Sequence, residues 1–68
     1  MIVVMKKGAA PEAVKAMAAR VEEMGMKAHV IVGTERTVVA AVGAENEADR
    51  QTLASYEEVE QVVAILAP

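Results

Sequence analysis

Few residues in this chain have a type and spacing that could do chemistry. His29 is the only histidine. Histidine is the side chain whose ordinary titration range lies nearest neutral pH, so it is the natural first candidate for proton transfer or metal binding. With no second histidine and no cysteine in the chain, it can assemble neither a catalytic triad nor a thiolate metal site. Two readings of His29 stay open: a polar residue tolerated on an edge strand, or a hydrogen-bonding group at a ligand or subunit contact. The carboxylates fall as Glu22-Glu23, Glu45 with Glu47, and Glu57-Glu58. General acid–base work would need a paired base or an oxyanion donor beside them. Neither is present, and they read as solvated surface. Lys6-Lys7-Gly8-Ala9 holds a single glycine and no arginine, which is too little for a phosphate-handling loop. The five methionines suit gap filling in a small core better than a cofactor pocket. Tyr56, the only aromatic, reads as a packing residue, with an interface role as the alternative. No catalytic residue, metal ligand or cofactor is expected.

Composition narrows the field further. Sixty-eight residues make one domain, residues 1–68, and a chain this short buries only about 60% of the surface its unfolded state exposes. Apolar residues make up 54% of it, with no Phe or Trp. A core built mostly from Ala and Val has a thin margin and gains from a partner. Net charge is −3, and the seven Lys and Arg residues are scattered. Nucleic-acid binding asks for clustered cations or aromatic stacking platforms, so no nucleic-acid partner is expected. No apolar run approaches the roughly 20 residues of a membrane span. The opening Met1–Met5 run lacks the cationic flank and cleavage site of a signal peptide. A cytoplasmic location without membrane contact follows as the expectation.

The elements that position these residues centre on Lys27–Gly43, KAHVIVGTERTVVAAVG. Two β-branched runs, Ala28–Val32 and Thr37–Val42, flank the polar break Gly33-Thr34-Glu35-Arg36, which is a hairpin signature. Before it, Met1–Lys6 is a continuous apolar run of central-strand type. Pro11 then suits the first helical position and Glu12 the first turn. Val14, Met17, Ala18, Val21 and Met24 share one helical face, and Gly25 is a natural stop. In the strand Met26–Val32, alternation puts Ala28, Val30 and Val32 on one face, expected to meet the helices. Lys27, His29 and Ile31 fall on the other. After Gly43–Glu47, Asn46 is an N-cap candidate with Asp49 at the third helical position, opening a short helix to about Ser55 whose thin apolar face is Ala48, Thr52, Leu53 and Tyr56. Val59–Ala67 is the last strand, with Val62, Val63, Ala64, Ile65 and Leu66 apolar on both faces.

Strand-helix-strand-strand-helix-strand is the order of the α+β ferredoxin-like sandwich, a four-stranded antiparallel sheet with two helices on one face. Its other face stays uncovered, yet three of the strands are apolar on both sides. Such a face must be buried by another copy of the domain or by a neighbouring domain. Val38, Val39 and Ala40 on the third strand are the candidate interface residues. Metal carriage on this scaffold would need a Cys-x-x-Cys loop where Lys6–Ala9 stands. RNA recognition would need aromatics where strands one and three carry Val and Ala.

MIVVMKKG, KAHVIVGTERTVVAAVG and VEQVVAILAP, in this order and spacing, resemble the N-terminal domain of a microbial family of DAHP synthases, first enzymes of the shikimate pathway. The similarity runs over all 68 residues. It is closest in the turn Gly33, Glu35, Arg36, Thr37, Val38 and in the strand Val59, Glu60, Val62, Val63, and weakest through the second helix. The resemblance implies a ferredoxin-like, ACT-like regulatory domain that precedes a metal-dependent (β/α)₈ barrel and does no chemistry itself. In feedback-regulated members it pairs with its counterpart from another subunit and binds tyrosine. Carried over, the family's ligand-contacting histidine falls on His29. Its companion, a serine two residues on, is Ile31 here, which has no hydroxyl to offer an amino acid. The resemblance thus implies an aromatic amino acid ligand at His29 and Ile31, and self-association through the open sheet face or contact with a barrel domain. A purely structural association module without ligand stands as the alternative. The chain ends at Pro68, where the family runs on into the barrel, so it is expected to have no synthase activity alone.

Overall fold

The computed structural model describes residues 1–43 and 46–64. In chain order the elements are β1 (Ile2–Met5), α1 (Pro11–Glu23), β2 (Lys27–Val32), β3 (Thr37–Val42), α2 (Glu47–Ala54) and β4 (Val59–Val63). The sheet order is β2-β3-β1-β4, and each neighbouring pair is antiparallel. This is the α+β sandwich expected from the sequence. β1 and β3 are central; β2 and β4 are the two edges.

Helix α1 forms where the sequence supplies both ends. Pro11 occupies the first turn after an extended Ala10, a place where a missing N–H costs nothing. At the other end Gly25 adopts φ +88°. The N–H of Gly25 donates to the Glu22 carbonyl at 2.9 Å and that of Met26 to the Val21 carbonyl at 3.3 Å. This is a Schellman closure, and its left-handed position is why glycine stands there. Val14, Met17 and Val21 on the inner face are buried.

Those side chains meet Val3 and Met5 of β1, Val39 and Ala41 of β3, Met26, Leu53 and Val59 in one core. Every buried member of β1 and β3 is thus an alternate residue on the helix side. Met1 is buried as well; its ammonium donates to the Ala41 carbonyl at 2.9 Å and its carbonyl accepts from the Ala41 N–H at 2.8 Å.

Helix α2 is capped as expected, with the Asn46 side-chain oxygen accepting from the Asp49 N–H at 2.8 Å. Its apolar face is thinner than the sequence suggests. Leu53 is fully buried and Tyr56 half-buried, while Ala48 and Thr52 are exposed. The Thr52 hydroxyl donates instead to the Ala48 carbonyl at 2.9 Å, a local bond that keeps it on the outer surface.

β2 and β4 depart most from expectation. The inner-face residues Ala28, Val30 and Val32 do lie beside Ala41, Val39 and Thr37. Yet Val30 is 46% and Val32 79% exposed. The first turn of α1 does not pack down on these two positions: an apolar hollow lined by Pro11, Val14, Lys15, Val30 and Val32 lies between them. β4 runs Val59–Val63; of the expected Val59–Ala67, residues 65–67 lie outside the described residues. Its pairing with β1 shifts register between Val4 and Met5.

Candidate functional site: the open sheet face

The face turned away from the helices can be built row by row from the register. Ile31, Val38, Val4 and Gln61 form one cross-strand row. His29, Ala40, Ile2 and Val63 form the next, and Lys27 with Val42 begins a third. Directly opposed side chains in such rows sit about 4.5–5.5 Å apart at Cβ, close enough to act as one surface. The middle of this surface is wholly apolar: Ile2, Val4, Val38 and Ala40 are half-buried by their sheet neighbours alone. Ile31, Val42 and Val63 are exposed. The polar members, Lys27, His29 and Gln61, are all on the two edge strands. An apolar centre with a polar rim is the anatomy of an association surface.

His29 and Ile31 project onto this face side by side on β2, two residues apart. His29 stands opposite Ala40, whose methyl is the smallest side chain in its row and leaves the imidazole room on that flank. Both residues are exposed. Among the described residues the imidazole has no hydrogen-bond or ion-pair partner, so both ring nitrogens are open to a ligand or a second chain.

The three interface candidates separate. Val38 and Ala40 lie on the open face. Val39 does not: its side chain is fully buried in the core on the helix side. A run apolar at every position cannot reveal which alternate set faces inward.

Sequence reading missed one link. The Arg36 guanidinium, at the end of the β2–β3 turn, is hydrogen-bonded and ion-paired to the Glu60 carboxylate of β4. β1 lies between those strands, so the pair reaches across the end of the sheet. It ties the turn Gly33–Val38 to the strand Val59–Val63, and the opposite charges of Arg36 and Glu60 were the available signal. Both side chains are more than a third exposed, which limits the pair to roughly 0–1 kcal/mol. Its effect is to fix the turn rather than to hold the fold. Gly33 completes that turn: a Cβ there would stand 2.6 Å from the Arg36 carbonyl oxygen, the same oxygen that accepts the Gly33 N–H at 3.0 Å.

Elsewhere the chemistry stays thin. A surface hollow beside Lys6, Lys7 and Gly8 is also lined by Glu57 and Glu58, and those carboxylates oppose any anion the lysines would attract. Among the described residues no three His, Asp or Glu side chains converge as a metal site would require. No helix among them is long and apolar enough to cross a membrane.

A family model described as the DAHP synthase ferredoxin-like domain matches residues 1–67. The curated phospho-2-dehydro-3-deoxyheptonate aldolase of Thermotoga maritima is 34% identical over 68 residues, all of this chain and 20% of that protein. The crystal structure of a phospho-2-dehydro-3-deoxyheptonate aldolase (DAHP synthase) from Thermotoga maritima superposes with TM-score 0.86 at 33% identity, covering 98% of this chain and 20% of the other. The chain therefore spans about a fifth of the length of these relatives.

Proposed function

The chain belongs to the DAHP synthase ferredoxin-like domain family, and from that premise we propose that it is a non-catalytic regulatory and self-association domain. It works beside a DAHP synthase barrel, which carries the metal-dependent chemistry, and uses the open sheet face as its contact surface. The observation that carries the reading is that face itself: Ile2, Val4, Val38 and Ala40 in the middle, Ile31, Val42 and Val63 exposed around them, with none of the described elements over them. Pairing two such faces removes the apolar surface of both copies from water at about 25 cal/mol per Å².

The ligand proposed for the rim is an aromatic amino acid such as tyrosine, held against His29 with its ring on the apolar rows. His29 supplies one hydrogen bond to the polar end of the ligand. Ile31, next to it, supplies only apolar contact. That residue favours a second reading, a scaffold that pairs through the same face and takes no ligand.

The experiment is a backbone amide NMR titration of the 68-residue chain with tyrosine, then phenylalanine, at millimolar ligand. Saturable shifts from His29 to Ile31 and across Val38 and Ala40 are expected of a sensor. A flat titration on a chain that still self-associates establishes the ligand-free scaffold instead. A chain that is monomeric and silent overturns both.

A further inference from the structure

We infer that the free edge of β2 is a second self-association surface, on which two copies of this chain pair their β2 strands antiparallel into one continuous sheet. The inference is independent of the open-face contact proposed above, since it uses the edge of the sheet and not its face.

The two edges of the sheet are unlike. β4 carries Glu60 and Gln61 and a register shift against β1, devices that blunt an edge against further pairing. β2 has a regular register and a single charge, Lys27, at its first position. From Ala28 to Val32 it holds no charge, no proline and no irregularity in its register with β3. Its last three residues are exposed on both sides of the sheet: Val30 and Val32 toward the helices and Ile31, at 54%, toward the open face. A partner docking on either face would cover one set and leave the other. A strand added to the edge covers both.

The backbone is available for it. The Gly33 N–H donates inward to the Arg36 carbonyl. Because antiparallel neighbours alternate between bonded and non-bonded pairs, Ile31 and His29 also turn their amides toward β3. The N–H and C=O groups of Ala28, Val30 and Val32 then point outward, unpaired by the sheet. On the helix side an apolar hollow of about 420 Å³ adjoins them, lined by Pro11, Val14, Val30 and Val32 among others, with room for the side chains of an added strand.

The occupant is a second copy because this segment is complementary to itself. Set antiparallel about a two-fold axis at Ile31, Val30 meets the partner's Val32 and Ile31 meets its own counterpart. Lys27 then falls opposite the turn that carries Glu35, and the same contact recurs at the other end, as an isologous interface requires. The bonded pairs in this register are Val30 with Val32, both of which have outward-facing amides. The two copies of Lys27 stand at opposite ends, roughly 25 Å apart at strand rise, so like charges do not meet.

The test follows amide hydrogen exchange of the 68-residue chain by NMR against concentration, with mass by sedimentation. Protection at Val30 and Val32 should appear as the dimer forms. Val32→Lys, at a position already open to water, should remove that protection and shift the dimer to higher concentration with the fold unchanged. Lys27→Glu should weaken pairing about 2- to 30-fold, the range of two exposed ion pairs, and Lys27→Glu with Glu35→Lys should restore it. Ala40→Lys, on the open face, should leave edge protection intact. Val30 and Val32 amides that exchange freely in an associated sample would overturn the edge pairing while leaving the face contact standing. So would a charge swap that fails to rescue, or a chain that stays monomeric at millimolar concentration.

Discussion

At the scale of single residues, the proposed ligand chemistry rests on two side chains of β2. His29 offers a ring nitrogen and Ile31 offers none, so a ligand's polar group facing residue 31 goes unpaired at a cost of about 1–3 kcal/mol. Ile31→Ser restores a hydroxyl at an exposed position and should tighten tyrosine binding roughly 5- to 150-fold, read as the midpoint of an NMR or calorimetric titration. His29→Ala in that background should remove the saturable response. Tyrosine binding that is indifferent to both substitutions would place the ligand elsewhere on the molecule. Gly33 matters at this scale for a different reason. Its φ is unremarkable, and the constraint is the Arg36 carbonyl 2.6 Å from any Cβ, so alanine there must push the turn open.

Among the elements, α2 is the weakest, and the reason is visible in its contacts. It is eight residues long and buries one side chain, Leu53. Isolated helices of that length are marginal in water, so packing and capping must hold it. Leu53→Ala should cost about 2–5 kcal/mol, a large share of what a domain of this size has. Asn46→Ala, which removes the acceptor for the Asp49 N–H, should cost about 1 kcal/mol. Urea unfolding with a constant m-value measures both; a larger loss at Asn46 than at Leu53 would mean that capping, not packing, anchors the helix. α1 needs no such support: three buried residues and a Schellman closure hold it, and an open hollow separates its first turn from Val30 and Val32.

For the whole molecule, the governing fact is that the described helices cover one sheet face and no described element covers the other. Adjacent positions on β3 therefore respond oppositely to the same substitution. Ala40→Lys puts a charge in the middle of the open face and should leave a folded chain that has lost association through that face. Val39→Lys puts it in the core, where an unpaired charge is severely destabilising, and should unfold the chain. Sedimentation for the first and circular dichroism for the second distinguish them. An Ala40→Lys chain that associates like the parent would mean that this face is not the contact. Residues of the third strand thus divide between the core and the open face by the parity of their position.

Much of this was written locally in the sequence. The six elements follow from Pro11, Gly25, Asn46 and the Gly33–Arg36 turn, because caps, stops and tight turns are dictated by a few neighbouring residues. The inward face of α1 was legible from its spacing, and the unpartnered face of the sheet was legible from strands apolar on both sides. The resemblance to DAHP synthase domains was carried by the motifs around Arg36 and Glu60. What the sequence did not contain was parity and reach. Thr37–Val42 is apolar at nearly every position, so nothing local separates Val38 and Ala40 from Val39; the antiparallel register with β1 and β2, and the side on which the helices pack, decided it. Likewise Val30 and Val32 read as core residues until the start of α1 left them uncovered. Hydrogen-bonding patterns and helix ends depend on residues close in the chain, whereas burial depends on which distant element lies overhead, and only the tertiary arrangement sets that.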